Sequence, residues 1–259
     1  MIELLVLAIA PAMFLAWYFY MRDRYEREPK ILLLLTYLLG ILAVLPAFII
    51  ETLGNLIIPI RDESTLFLNV FFFVALSEEF VKFGAVRIAA YRSKEFNEVM
   101  DGIIYCVIAA LGFATLENML YALKYGLLTT LLRDVLSVPS HALWGGLMGY
   151  FIGLAKMYGK ERVNVFKGLF IAVLLHGLYD FIAFSFNAVT SLLMIVPLIA
   201  FSWALLLWLM MRADALSTFR RWGPPIPKLA RSCPRCGGPL TYISQYNRWY
   251  CYSCRAYTQ

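Results

Sequence analysis

The stretch Ser77-Glu78-Glu79-Phe80-Val81-Lys82 places three ionisable side chains inside an apolar run that extends from Leu66 to Ala90. Ionisable groups at such a depth in a bilayer are costly unless they are paired or functional. At about 100° per residue, Glu78, Glu79 and Lys82 lie on one side of a helix, with Lys82 between the two carboxylates. The stretch therefore predicts a membrane helix whose polar side faces other helices and not lipid.

The composition of the 259-residue chain is typical of a polytopic membrane protein. Hydrophobic residues make up 61% of the chain and charged residues only 15%, and the mean hydropathy is +0.71. Soluble domains carry about 25% charged residues. The net charge of +6 comes from basic residues that collect in short loops and not on one soluble face. The lipid bilayer is thus the expected partner, and no nucleic acid is expected.

Seven apolar stretches are long enough to cross a bilayer. The predicted spans are residues 4–21, 31–52, 66–90, 100–123, 139–155, 165–184 and 191–211. Basic residues are abundant in alternate loops, which predicts an N-terminus outside the cell membrane and a C-terminus in the cytoplasm. Pro46 predicts a kink in the second span. The loop 124–137 is partly apolar, so we expect a short interfacial helix there. The alternative is a re-entrant eighth segment around 127–136, which is short for a span.

The composition changes after Arg221, where a Pro-rich stretch begins. We predict a transmembrane protease-like bundle over residues 1–221, a stiff linker over 222–230 and a cytoplasmic zinc ribbon over 231–259. Two Cys-x-x-Cys pairs near the C-terminus have the spacing of a tetrahedral zinc site, and the cytoplasm disfavours disulfides. The predicted ligands of this zinc site are Cys233, Cys236, Cys251 and Cys254. Residues 240–250 suit a β-hairpin, so the predicted fold is an all-α membrane bundle of about seven helices with a small C-terminal β ribbon.

Polar residues also interrupt the other predicted spans. They are Glu117, Asn118, His141, His176 and Asp180. His141 and His176 are the only histidines of the chain and lie on different predicted helices. Peptide hydrolysis needs an activated water, an oxyanion stabiliser and a proton donor for the leaving amine. A buried glutamate is suited to be the general base, and the histidines could either ligate a metal or donate hydrogen bonds to the oxyanion.

Four blocks of the sequence resemble the PrsW family of intramembrane proteases, which is related to the type II CAAX prenyl endopeptidases. The blocks are Glu78-Glu79-x-x-Lys82, residues 100–118 with MDGIIY and LGFATLEN, His141-Ala142, and His176-Gly177-Leu178-Tyr179-Asp180. They occur in the right order over residues 78–180, whereas the first span and the ribbon lie outside them. The resemblance implies an intramembrane endopeptidase that cleaves membrane-anchored proteins such as anti-sigma factors.

The resemblance also implies roles for the individual residues. Glu78 would be the water-activating base, and Glu79 would be its partner or a metal ligand. His141 and His176 would be ligands of an active-site zinc or oxyanion donors. The supporting residues would be Lys82, which compensates charge, and Glu117, Asn118 and Asp180, which orient the histidines or join the metal shell. The chain contains no His-Glu-x-x-His motif, so a conventional zincin is excluded, while metal-assisted and glutamate-only mechanisms both stay open.

Two other functions are compatible with the residues alone. Carboxylates and histidines in spans also form the proton relays of proton-coupled transporters, although the two halves of the chain show no repeat. A non-catalytic adaptor could instead use the ribbon to recruit cytoplasmic proteins. At the level of single residues, Glu78 with Lys82, and His176 with Asp180, could be buried pairs that only hold helices together.

Overall fold

A computed structural model of the chain describes residues 2–217, 219, 233–236, 240–243, 248–251, 254 and 256–258. The chain divides into two compact units, Met1–Trp222 and Gly223–Gln259, which are described separately. The predicted linker, residues 222–230, lies outside the described residues.

The described part of the first unit is helical. Its elements are α1 (Ile2–Arg22), α2 (Lys30–Leu42), α3 (Val44–Ile57), α4 (Glu63–Asn69), a π-helical turn (Val70–Ala75), α5 (Leu76–Ala89), α6 (Val99–Tyr125), α7 (Leu127–Val135), α8 (Ser137–Tyr158), α9 (Glu161–Ser185) and α10 (Ala188–Leu216). Five helical segments among the described residues are long and apolar enough to cross a membrane, and they correspond to α1, α2 with α3, α6, α9 and α10. The predicted third and fifth spans are also helical, over residues 63–89 and in α8. The predicted all-α membrane bundle is thereby confirmed.

Two local irregularities occur where the sequence predicts them. The second span is divided at Ala43, between α2 and α3, because Pro46 has no N–H to bond the carbonyl of Leu42. The segment after α6 forms the nine-residue helix α7. It follows Gly126, whose φ of +79° reverses the chain at the end of α6.

Helix α6 lies at the centre of the bundle. In its most apolar stretch 94% of the residues are buried, against 22–33% in the other four candidate spans. Helix α8 crosses α6 at glycines, and a Cβ on Gly149 would lie 2.2 Å from the carbonyl oxygen of Gly102. The Gly-x-x-x-Gly spacing of α8 therefore lets the two backbones come into direct contact.

Replacing Gly149 with Ala is expected to destabilise the bundle by about 1–3 kcal/mol. The added methyl group would overlap backbone atoms of α6, which cannot move away as the end of a side chain can. Since α8 also carries His141, activity should fall with stability. Gly84→Ala is the matched control, because a Cβ there has no described atom within 4 Å. Thermal unfolding of both variants in detergent tests this; equal melting temperatures would contradict the packing described.

Buried carboxyl groups collect where the α1–α2 loop meets the start of α6. Asp23, Glu28, Glu98 and Asp101 are at most 3% exposed. Glu28 contacts Asp101 and accepts a hydrogen bond from the Tyr105 hydroxyl. Burial raises the pKa of Asp23, Glu28 and Glu98 to about 7, and for Asp23 the nearby Glu98 and Asp101 carboxyls add to this rise in pKa.

Stability should consequently fall as the pH rises from about 5 to 8. The unfolded carboxyls titrate near pH 4, so between pH 4 and 7 the folded chain binds more protons than the unfolded chain, and the free energy of unfolding decreases with pH. The melting temperature is expected to drop by on the order of 5 °C across this window. Glu28→Gln should make the melting temperature less dependent on pH, while Glu63→Gln, at an exposed position, should leave the dependence unchanged. An equally steep dependence in Glu28→Gln would contradict the role of the buried carboxyl groups.

The described part of the second unit contains three strands, β1 (Leu240–Ile243), β2 (Arg248–Cys251) and β3 (Ala256–Thr258). They form one antiparallel sheet in the order β1-β2-β3, with Leu240 opposite Cys251. The β1–β2 pair extends one residue beyond the segment 240–250 predicted as a hairpin, and the predicted small C-terminal β unit is confirmed.

Candidate active site

The acidic stretch stands at the start of α5, directly after the π-helical turn. The Ser77 hydroxyl donates to the carbonyl oxygen of Phe73 at 2.6 Å, which binds the turn to α5. Glycines of two neighbouring helices make room for this wider turn: a Cβ on Gly54 would lie 2.3 Å from the Phe73 ring, and one on Gly177 would lie 2.6 Å from Phe71. Single π-helical turns often occur at functional sites, and this one sets the rotation of the acidic face.

Lys82 holds the centre of the cluster. Its ammonium is fully buried and donates to Glu78 Oε2 at 2.8 Å, to Glu79 Oε1 at 2.9 Å and to His141 Nδ1 at 3.0 Å. The Phe113 ring covers it, with Nζ 4.2 Å from the ring centroid. All three ammonium protons thus have acceptors, and one cation is shared between two carboxylates.

His176 on α9 lies between acidic groups. Its Nδ1 is hydrogen-bonded to Glu79 Oε1 at 2.9 Å, and its Nε2 lies 3.3 Å from Asp180 Oδ2 and 3.9 Å from Glu78 Oε2. The ring stacks on Trp144, with 4.7 Å between the centroids. These contacts fix both the position and the rotation of the imidazole.

His141 on α8 approaches from the opposite side. Its ring centroid is 5.3 Å from that of His176, and its Nε2 lies 3.0 Å from Glu117 Oε2 on α6. Asn118, the next residue, points elsewhere: its amide nitrogen donates to the Ala8 carbonyl and to Asp134. The structure therefore brings together all predicted bundle residues except Asn118, which ties α6 to α1 and α7 at the edge of the cluster.

The donor set is of a type that binds zinc. Glu78, Glu79, His141 and His176 each offer a ligand atom, and these atoms lie within 4.8 Å of one another. Glu79 Oε2 is buried without a hydrogen-bond partner among the described residues, so one carboxylate oxygen is left for a further ligand. Carboxylate and imidazole are the ligands of catalytic zinc sites. The Lys82 ammonium contacts three of the same donors, so an ion would have to displace it.

Three residues near the cluster were missed by reasoning from the sequence. Arg133 on α7 contacts Glu117 Oε2 at 2.8 Å, Trp144 stacks on His176, and Glu51 on α3 interacts electrostatically with Glu78. The spacing of His141 and Trp144, three residues apart on one helix, could have indicated that they share a face. Arg133 is the one basic residue in the segment Leu127–Val135, which is a weak signal.

The four cysteines of the second unit also meet. Cys233 Sγ lies 3.8 Å from Cys254 Sγ, and Cys236 Sγ lies 3.5 Å from Cys251 Sγ. A tetrahedral zinc ion with Zn–S bonds near 2.3 Å separates its sulfurs by about 3.8 Å, so the spacing fits zinc and is too long for a disulfide. Backbone N–H groups of Arg235 and Cys236 help lower the pKa of the Cys233 thiol to about 7, which favours the thiolate that a metal binds.

Comparison with known proteins gives a match over most of the bundle. A family model described as PrsW family intramembrane metalloprotease matches residues 28–207. A protein named Protease PrsW from Oceanobacillus iheyensis is 36% identical over 83% of this chain and 97% of its own length. The Protease PrsW of Geobacillus kaustophilus is 39% identical over 70% of this chain and 80% of its own length, and that of Bacillus subtilis is 34% identical over 78% and 92%.

The matched residues 28–207 contain the whole acidic and imidazole cluster and exclude the four cysteines. No solved structure matches the chain significantly. These relatives favour a protease over the transporter and adaptor hypotheses.

Proposed function

The chain belongs to the PrsW family of intramembrane metalloproteases, and we propose that its bundle hydrolyses a peptide bond with a water molecule that Glu78 activates. The observation that supports this mechanism most is the meeting of Glu78, Glu79, His141 and His176, from three helices, in one buried cluster. As an intramembrane protease, the chain acts on membrane-anchored substrates. We propose that these substrates include single-span proteins such as anti-sigma factors.

In this mechanism Glu78 takes a proton from the attacking water and later passes it to the leaving amine. Lys82 keeps the two glutamates in place and offsets their charge. The imidazoles of His141 and His176 border the same cluster. His176 can donate to the developing oxyanion, whereas His141 Nδ1 accepts from Lys82. Glu117 and Asp180, each with a side chain 17% exposed, mark the route by which water reaches the otherwise buried site.

A zinc ion, when bound, would be held by Glu79, His141 and His176 and would supply Lewis-acid polarisation of the scissile carbonyl and a more acidic water. The orphaned oxygen of Glu79 supports this version over the glutamate-only one. Asp180 then orients His176, and Glu117 orients His141, as carboxylates do behind metal-bound histidines. Glu78 keeps the role of general base in both versions.

We further propose that the bundle lies in the cell membrane with its N-terminus outside and its C-terminus in the cytoplasm. The basic loops predict this orientation. It places the zinc ribbon in the cytoplasm, where the four thiols stay reduced.

The proposed function is tested by reconstituting the purified chain in proteoliposomes with a single-span substrate protein. Cleavage products are expected, and mass spectrometry should locate the cut inside or at the edge of the substrate's apolar segment. Proteoliposomes that conduct protons through the cluster and leave the substrate intact would instead support the transporter.

Metal analysis separates the two proposed zinc sites. In the full chain, replacing Cys233 and Cys236 together with Ser is expected to lower the zinc content by one ion per chain, because two of four ligands are lost. The remaining zinc should disappear when His176→Ala is added. Elemental analysis by mass spectrometry after chelator-free purification is the measurement. Full loss of zinc in the cysteine variant alone would favour the glutamate-only mechanism.

A further inference from the structure

Helix α7 has one side that faces the bundle and one that does not. Leu128 and Val135 are 71% and 70% exposed, whereas Arg133 turns inward with a side chain only 15% exposed. The Arg133 guanidinium lies over the Tyr121 ring at 3.9 Å, and its Nε donates to Asn118 Oδ1 at 3.2 Å. Asn118 in turn donates to Asp134 at 2.7 Å. Tyr121 and Asn118 thus fix a guanidinium whose Nη2 reaches Glu117.

Glu117 connects this cation to the active site. The same carboxylate oxygen, Oε2, lies 2.8 Å from an Arg133 nitrogen and 3.0 Å from His141 Nε2. On its other side, His141 Nδ1 lies 3.0 Å from the Lys82 ammonium. An ammonium can only donate, so Nδ1 must accept and the ring proton must sit on Nε2, facing Glu117.

We propose that Arg133 is a positioning residue for the proposed hydrolysis: it holds the Glu117 carboxylate against His141 and thereby fixes the rotation of the imidazole ring. The Nδ1 lone pair then stays directed at the cluster of Lys82, Glu78 and Glu79. Without the guanidinium, the partly buried Glu117 carboxylate loses the cation nearest to it and can turn away from the ring. The ring then loses the carboxylate that its Nε2–H faces, while Lys82 still contacts only Nδ1.

The proposal for Arg133 rests on the proposed function only where it is tested by kinetics. Arg133→Gln is expected to lower kcat by about 10–100-fold, as loss of an outer-shell partner does, and to leave KM within twofold. Arg133→Lys should recover part of the rate, because it restores the charge but not the contact with Asn118. Arg87→Gln is the matched control: Arg87 forms an exposed ion pair with Glu161 and should not change either constant.

A double-mutant cycle tests whether Arg133 acts through Glu117. Adding Arg133→Gln to Glu117→Gln should cause no further loss of kcat, because the carboxylate that Arg133 holds is already gone. Losses that multiply, or a rise in KM with kcat retained, would overturn the proposal and make Arg133 a substrate contact.

A second measurement, of the state of the two histidine rings, does not require catalysis. The chain has two histidines, so spectra of chain labelled with ¹⁵N-histidine report on two rings, and each can be assigned by its substitution. In a Glu78→Gln background, His141 should be protonated on Nε2 and this proton should exchange slowly with water. Arg133→Gln should speed the exchange, because the ring is no longer held against Glu117, while His176 stays unchanged. An unchanged His141 ring in Arg133→Gln, or in Arg133→Lys if the first variant does not fold, overturns the proposal. An inactive wild-type chain with the expected ring states would instead reject the proposed hydrolysis alone.

Discussion

Glu78→Gln is expected to reduce cleavage of a reconstituted single-span substrate by about 10²–10⁴-fold. The amide has the size of the carboxylate, and its oxygen can still accept the hydrogen bond that Lys82 gives Glu78 at 2.8 Å. It cannot take a proton from water. The bundle should therefore keep its fold and lose only the general base.

The measurement is the initial rate of product formation in proteoliposomes, normalised to the amount of folded protein. Glu161→Gln is the matched control, because the Glu161 side chain is 48% exposed and pairs with Arg87, outside the cluster. That variant should cleave at the wild-type rate. A Glu78→Gln rate within twofold of wild type would remove Glu78 from the mechanism.

Lys82→Met is expected to abolish activity and also to destabilise the bundle. Its ammonium is the shared partner of Glu78 and Glu79, all three side chains being at most 5% exposed. Removing one partner of a buried ion pair costs about 3–5 kcal/mol, because the remaining charge is left without compensation. The melting temperature should fall by roughly 10 °C.

A second substitution separates this charge effect from a simple loss of packing. The double variant Glu79→Gln, Lys82→Met should regain most of the lost stability while staying inactive. The Glu79→Gln change removes one of the two carboxylates that Lys82→Met leaves without a cation. Lys167→Met, at an exposed position of α9, should change neither property. A double variant no more stable than Lys82→Met would show that charge compensation is not what Lys82 provides.

The arrangement of α5 could be predicted from the sequence because it depends on spacing within one helix. Glu78, Glu79 and Lys82 are three and four residues apart, so helix geometry alone puts Lys82 between the carboxylates. The need to bury these charges away from lipid then turns that face toward other polar helices. The two Cys-x-x-Cys pairs were predictable for a similar reason, since tetrahedral zinc requires four soft ligands in compact turns.

The remaining features depend on contacts between distant parts of the chain. Arg133 and Glu117 meet because α7 folds back along α6, and a single arginine beside a span also fits the ordinary basic residue of a loop. The π-helical turn before Leu76 has no residue pattern of its own and depends on the space that Gly54 and Gly177 leave on neighbouring helices. The resemblance implies a supporting role for Asn118 because it ends the same block as Glu117, but neighbouring helix positions point about 100° apart.

The most direct test of the central claim is hydrolysis in H₂¹⁸O by the purified chain with a purified single-span substrate. We expect a new C-terminus within or at the edge of the substrate's apolar segment, carrying oxygen-18 from the attacking water, and no such product with Glu78→Gln. A cut confined to the soluble part of the substrate, or a labelled product that Glu78→Gln forms equally well, would contradict the account.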